Sequence, residues 1–232
     1  MKVQRLRLRF ARDESLKYLP HLDLMRAWER ALRRAEVPVA YSEGFSPRPR
    51  LALAAPLPVG VTSEGELLDL FLSERTAPAA VAQAVSTQLP VGLRLLGVDE
   101  VALALPSLQS ALRAAEYVVE VVDPRPLDAL RAAIADLLAQ DRLEWEHRRE
   151  QEVRRYDLRA LILSLGIDGK SGDRVALRMR LRADEQGSGR PEQVTAALGI
   201  AEPPLRVQRV RLEVAEPSIA RTAYRTAGRF AD

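Results

Sequence analysis

Residues 41–50 combine two aromatic side chains with two arginines in one short loop, a set of groups that can bind nucleic acid. A glycine at position 44 allows a tight backbone, and prolines at positions 47 and 49 stiffen it. Tyr41 and Phe45 could then be held outward to stack on unpaired bases beside Arg48 and Arg50. The alternative is a rigid connector whose Phe45 packs into the core.

Two stretches alternate arginine with apolar residues, the period-two pattern of a half-buried strand. Such a strand turns its leucines toward a core and its arginines to the opposite face, where they could neutralise phosphates along an RNA strand. The alternative is a solvated face paired with acidic neighbours such as Glu120 and Glu213. The arginines concerned are Arg5, Arg7 and Arg9 in residues 3–10, and Arg174, Arg178, Arg180 and Arg182 in residues 174–182.

His21 stands at the start of a predicted helix over residues 21–35, beside Asp23. An exposed histidine there could act as a general base or contact a phosphate, or it could simply lie on the surface. The same helix carries a stripe of arginines formed by Arg26, Arg30 and Arg33. The helix therefore offers one further group of cations.

These residues require a scaffold, and the hydrophobic periodicity indicates its class. Strand and helix patterns follow one another in the order βαββαβ, and the order repeats after residue 112. We predict an α+β fold of two tandem ferredoxin-like halves with antiparallel sheets. The predicted domains are residues 1–112 and 113–215, followed by a basic tail over 216–232 with Arg221, Arg225 and Arg229 at four-residue spacing.

The predicted strands cover residues 3–10, 39–42, 50–55, 67–72 and 91–98 in the first half, with helices over 21–35 and 78–88. In the second half, strands cover 117–122, 145–152, 161–167, 174–182 and 205–214, with helices over 126–139 and 191–198. The turn Gly187-Ser188-Gly189-Arg190 lacks the context of a phosphate loop and is interpreted as a hairpin or a helix lead-in.

Composition restricts the chemistry further. The 232 residues include no cysteine, which excludes disulfides, thiolate metal sites and iron–sulfur clusters held by this chain. His21 and His147 are the only histidines and have no further ligands at a suitable spacing, so we expect no metal and no cofactor.

The net charge is only +3, but residues 1–60 hold twelve basic against six acidic residues. Without a targeting pattern or a long apolar run, a cytoplasmic protein with no membrane contact is expected.

Several segments resemble the radical-SAM-linked protein family, a domain found beside or fused to B12-binding radical SAM proteins. The resemblance covers residues 1–75 most strongly and implies a radical SAM protein as the partner. A weaker likeness follows in the second half, at RYDLR (155–159). The segments of the first half are YLPHLDLMR (18–26), ERALRRA (29–35), VAYSEGFSPRP (39–49) and PLPVG (56–60).

The helix start Leu19-Pro20-His21-Leu22-Asp23 and the tandem order are also similar to CRISPR repeat-processing endoribonucleases of the Cas6 kind. The glycine-rich loop near the C-terminus of those nucleases is missing here. The resemblance therefore favours RNA binding over cleavage, and His21 would be the catalytic residue only if the chain were a ribonuclease.

Three functions remain open at this point. The first is an RNA-binding accessory protein that presents tRNA or rRNA to a radical SAM partner. The second is a module that docks on that enzyme without touching nucleic acid, and the third is a metal-independent endoribonuclease. The residues predicted to contact RNA are Arg5, Arg7, His21, Arg26, Tyr41, Phe45, Arg48, Arg50, Arg178 and Arg180.

Overall fold

The computed structural model of the chain describes residues 1–149 and 152–215, with the side chains of residues 147–149 and 152 outside that description. The basic tail predicted over residues 216–232 lies outside the described residues, as does the side chain of His147. No helix in the described ranges combines the length and the apolar character that a membrane span requires.

The first half has the element order βαββαβ. Its four strands lie in the spatial order β4-β1-β3-β2, and each neighbouring pair is antiparallel. The elements are β1 (Gln4–Arg12), α1 (His21–Arg34), β2 (Leu51–Leu53), β3 (Val61–Leu72), α2 (Pro78–Ser86) and β4 (Leu93–Val101).

Both helices of the first half pack on one face of these strands. Leucines and Phe10 of β1 alternate inward, and Phe10 meets Trp28 of α1 edge to face with ring centroids 5.0 Å apart. Val81 and Val85 of α2 join the same core. Arg5, Arg7 and Arg9 of β1 therefore point to the opposite face, since successive strand side chains alternate.

The second half repeats the order, with the strands arranged β11-β5-β9-β8 and again antiparallel. A two-stranded hairpin, β6–β7, interrupts it after the first helix. The elements are α3 (Leu108–Ala111), β5 (Leu112–Val122), α4 (Leu127–Ala139), β6 (Glu144–Arg149), β7 (Glu152–Asp157), β8 (Ile162–Ser171), β9 (Arg174–Asp184), β10 (Gly187–Ser188), α5 (Pro191–Ala197) and β11 (Arg206–Val214).

The two halves share one nine-stranded sheet because β11 pairs in parallel with the start of β3. Gly65 makes this approach possible, since a Cβ at that position would lie 2.5 Å from the carbonyl oxygen of Val210. Beside the junction Arg209, 3% exposed, donates through Nε to Glu66 at 2.8 Å. Burial disfavours the charge of Arg209, but the nearby Glu66 carboxylate holds its pKa above the ordinary value. A buried ion pair thus fastens one half to the other.

The α+β class predicted from the sequence is confirmed, with three corrections. The halves form a continuous sheet rather than separate antiparallel ones. Residues 39–42 make only isolated bridges, at Val39 and Tyr41, because β2 takes the edge beside β3. The strand predicted over residues 145–152 is instead a hairpin whose two arms are β6 and β7.

Candidate nucleic-acid interface

The loop over residues 41–50 is closed by its own backbone. Tyr41 and Pro49 form an antiparallel bridge, and the N–H of Ser42 donates to the carbonyl of Arg48 at 2.9 Å. The Ser42 hydroxyl in turn accepts from the N–H of Arg48 at 3.0 Å. Gly44 has φ +116°, a left-handed conformation that a side chain would strain. These bonds fix a tight loop.

The aromatic side chains of this loop face solvent. Phe45 is fully exposed at the tip and Tyr41 is 51% exposed at the base. Arg48 is also exposed, while Arg50 donates from Nε to the Tyr41 carbonyl at 3.2 Å. The interpretation of Phe45 as a core residue is therefore wrong, and its exposure leaves the ring available for stacking.

The base of the loop is anchored at the edge of β3. The N–H of Ala40 donates to the carbonyl of Phe71 at 2.8 Å, and the N–H of Phe71 donates to the carbonyl of Arg50 at 3.1 Å. The loop therefore projects from a paired strand rather than from a free chain, which lowers the ordering cost of binding.

The outer face of α1 carries four arginines. With 3.6 residues per turn, Arg26, Arg30, Arg33 and Arg34 occupy one side of the helix, opposite the buried Trp28. Arg26 pairs with Asp23 at 2.9 Å, but both side chains are largely exposed. The other three arginines form no ion pair with any described residue. Their charges are therefore open to an external anion.

The loop and the helix meet at the C-terminal end of α1. Arg33 and Tyr41 line one shallow cavity of about 190 Å³, together with Pro49 and the carboxylates Glu29 and Glu36. The shared cavity places the two groups side by side. We call the two groups together the helix–loop surface, and it consists of Arg26, Arg30, Arg33 and Arg34 with residues 41–50.

Arg5 and Arg7 of β1 do not line an open face, whereas Arg9 is exposed and lies 3.9 Å from Asp99. Arg5 is 2% exposed and donates through Nε to Asp69 at 2.8 Å, and Arg7 donates to the same carboxylate at 2.8 Å. Arg5 also donates to the carbonyl oxygens of Leu105 and Pro106, because the segment after β4 crosses this face. The prediction that Arg5 and Arg7 form an open phosphate-binding face is wrong, since burial and Asp69 occupy both guanidinium groups.

Arg178 and Arg180 of β9 are exposed, but carboxylates hold both side chains. Arg178 donates to Asp168 at 3.0 Å and to Glu116 at 2.8 Å, and these bonds raise the pKa of the guanidinium. Arg180 donates to both oxygens of Glu213 at 3.0 Å and lowers the pKa of that carboxyl group. The face is a neutralised network, as the alternative interpretation of the strand pattern expected.

His21 lies exposed at the first residue of α1, as the sequence predicted. None of the described residues forms a hydrogen bond with its side chain. Tyr18 is also exposed just before the helix, with the Lys17 amine 5.2 Å from its ring centroid. A catalytic role for His21 stays a prediction, because no described acid or base orients its ring.

Part of this surface was not identified from the sequence. The helical stripe predicted from the sequence names Arg26, Arg30 and Arg33 but not Arg34, and Leu22, an apolar residue of the same helix, is 67% exposed. Helical geometry indicates both positions, because Leu22 lies four residues before Arg26 and Arg34 lies four residues after Arg30.

The RYDLR segment has a structural explanation. Asp157 accepts from the N–H groups of Leu143 at 2.9 Å and Arg159 at 3.0 Å, and these bonds lower the pKa of its carboxyl group. Leu158 is fully buried, and Arg159 donates to the carbonyl oxygens of Leu138 and Ile162. The segment therefore ties the β6–β7 hairpin to the core of the second half.

Arg12 stabilises the PLPVG segment in a similar way, through hydrogen bonds to backbone carbonyls. The side chain is fully buried and donates to the carbonyl oxygens of Leu19, Pro58 and Val61 at 3.0, 2.8 and 2.6 Å. Desolvation lowers the pKa of this guanidinium. Two segments of the family resemblance are thus held together by one buried cation.

Comparisons with solved structures give low similarities. A Cbf5-Nop10-Gar1 complex aligns at TM-score 0.49 and 11% identity, over 89% of this chain and 48% of the other. An archaeal box H/ACA sRNP Nop10-Cbf5 complex aligns at TM-score 0.44 and 13% identity, over 88% of this chain and 46% of the other. An unknown protein from Galdieria sulphuraria aligns at TM-score 0.26 and 14% identity, over 84% of this chain and 90% of the other. The chain thus spans about half the length of the first two.

No curated protein matches the chain. A family model does, and it extends over residues 5–191, from β1 to the first residue of α5. The match includes α1, the loop over residues 41–50 and the RYDLR segment. The chain therefore belongs to the family described as "Uncharacterized protein conserved in bacteria (DUF2344)".

Proposed function

We propose that this protein binds unpaired RNA through the helix–loop surface and presents it to a radical SAM enzyme that modifies tRNA or rRNA. The observation that carries the proposal is the fully exposed Phe45 at the tip of a closed loop that also holds Arg48, on a surface where Arg30, Arg33 and Arg34 form no ion pair with a described carboxylate. Stacking and phosphate neutralisation are the two interactions that single-stranded nucleic acid requires.

The geometry favours unpaired bases over a duplex. Base–aromatic stacking needs a base that is splayed out of its helix, as in loops, bulges and ends of RNA. Phe45 and Tyr41 offer two aromatic rings on which such bases could stack. The arginines of α1 lie on the adjoining face, where the RNA backbone would pass as it leaves the loop. A rigid duplex would meet the projecting loop without exposing a base to it.

The radical SAM partner rests on the resemblance of residues 1–75 to the radical-SAM-linked family. An iron–sulfur cluster is held by cysteine thiolates, and the chain has no cysteine. In this arrangement the partner supplies the chemistry and this chain supplies a binding surface.

The test is filter binding of the full chain to a labelled single-stranded RNA and to a duplex of the same sequence, each at several salt concentrations. The single strand should bind, with log affinity falling by about 0.7 for each phosphate neutralised per decade of salt. The duplex should bind more weakly.

Absence of binding at low salt would overturn the proposal. Equal affinity for strand and duplex would overturn the role of the aromatic loop. A radical SAM protein that binds the chain with no RNA affinity in either component would favour the docking module instead.

A further inference from the structure

The second half contains a cavity of about 690 Å³ that the helix–loop surface does not use. It lies between β7, the turn that follows β7, and the β9–β10 hairpin. Four arginines are among its lining residues, Arg154, Arg155, Arg182 and Arg190, and Asp157 is the one acid among them.

Glycines bring the walls of this cavity together. A Cβ at Gly187 would lie 2.7 Å from Cδ2 of Leu161, and one at Gly189 would lie 3.0 Å from Cβ of Leu181. The turn over residues 187–190, interpreted as a hairpin or helix lead-in, is both: β10 pairs with β9, and Arg190 caps α5. Its glycines let the hairpin close over Leu161.

The charges around the cavity leave room for an anion. The Asp157 carboxylate is directed at the backbone N–H groups of Leu143 and Arg159. Arg155 reaches Glu146 at 3.3 Å. Arg182 reaches Asp184 at 3.3 Å and donates to Oε1 of Gln186, a neutral acceptor, at 2.5 Å. Arg190 is exposed and forms no ion pair within residues 1–149 and 152–215.

One wall of the cavity is aromatic and fixed. The Tyr156 hydroxyl donates to Oε1 of the buried Gln193 at 2.6 Å, which holds the ring in place. Leu161 adds an apolar surface beside it. The cavity therefore offers a flat apolar wall together with planar cations.

We infer that this cavity binds a nucleoside phosphate, with the base against Tyr156 and the phosphate among the arginines. Guanidinium groups match phosphate oxygens in geometry and charge, and they also stack on aromatic rings. The volume lies within the range of small-ligand sites. The nucleotide could be free or could be the terminal residue of an RNA, and the phosphate chemistry is the same.

The experiment is isothermal calorimetry of the full chain with each of the four ribonucleoside 5′-monophosphates and with adenosine. At least one monophosphate should bind and adenosine should not, because the phosphate supplies the charge-assisted bonds. Arg190→Gln and Arg182→Gln should each weaken that binding by roughly tenfold. Arg94→Gln, which removes an exposed arginine of β4 that no described carboxylate pairs, is the control and should bind as the unaltered chain does.

The two sources of the nucleotide are separated by a short RNA with either a 5′-phosphate or a 5′-hydroxyl end. Tighter binding of the phosphorylated end, lost in Arg190→Gln, supports a terminal nucleotide, and equal binding of the two ends supports a free one. No response to any monophosphate at millimolar concentration would overturn the inference, as would unchanged affinity in both arginine variants with an unchanged melting temperature. None of these outcomes depends on the helix–loop surface.

Discussion

The arginines of the strands and those of the helix–loop surface differ in what surrounds them. Arg5 and Arg7 share Asp69, and Arg178 and Arg180 are held by Glu116, Asp168 and Glu213. Arg7 lies directly opposite Asp69 on the neighbouring strand, where Cβ atoms are about 4.5–5.5 Å apart, and Arg5, Arg178 and Arg180 also reach carboxylates on other strands of the sheet. The outer face of α1 has no neighbouring element of this kind.

The comparison shows that a row of arginines does not by itself indicate an anion site. In the sheet Arg5, Arg7, Arg178 and Arg180 are held by carboxylates, and on the helix–loop surface Arg30, Arg33 and Arg34 form no ion pair with a described residue. What separates the two groups is the register of carboxylates on adjacent strands, such as Arg7 opposite Asp69.

The largest expected effect comes from breaking the buried network of β1. Asp69→Ala leaves Arg5 and Arg7 without their carboxylate, and we expect the free energy of unfolding to fall by about 3–5 kcal/mol. Urea denaturation followed by circular dichroism measures it. The matched control is Asp99→Ala, whose contact with Arg9 is 3.9 Å long and exposed, with an expected change of at most about 1 kcal/mol.

Equal destabilisation by the two variants would contradict the structural role assigned to the strand arginines. The folded Asp69→Ala protein should also retain its affinity for RNA. Loss of RNA affinity without loss of stability would instead assign Asp69, Arg5 and Arg7 a role in RNA binding.

The next-largest expected effect is on RNA affinity, from removing the exposed ring of Phe45. Phe45→Ala should weaken single-stranded RNA binding by about 1–3 kcal/mol, because one base loses its aromatic partner. Phe45→Trp should retain binding, and Val91→Ala, which truncates another exposed apolar side chain, should leave it unchanged. Fluorescence anisotropy with a labelled RNA gives all three affinities. An unchanged Phe45→Ala affinity would remove the loop from the interface.

Local pattern was sufficient for the element order and for the exposure of the loop over residues 41–50. The alternation in β1 and the helical spacing around Trp28 each predict their own element and buried face, because these depend on neighbours in sequence. The exposure of Tyr41 and Arg48 also agrees with the glycine and prolines that close the loop.

Contacts between distant segments could not be read from local pattern. The burial of Arg5 depends on a segment one hundred residues away, whose Leu105 carbonyl accepts its hydrogen bond. The joining of the two halves depends on β11 reaching Gly65 and on Arg209 meeting Glu66. No periodicity within β1 or β3 carries that information.

The most direct test removes three arginines from each region and compares the salt dependence of RNA binding. One variant combines Arg30→Gln, Arg33→Gln and Arg48→Gln, and the matched variant combines Arg178→Gln, Arg180→Gln and Arg211→Gln. The first should reduce the slope of log affinity against log salt by about 0.7 for each arginine removed, and the second should leave the slope unchanged. Equal reductions in both variants, or no reduction in the first, would contradict the assignment of RNA binding to the helix–loop surface.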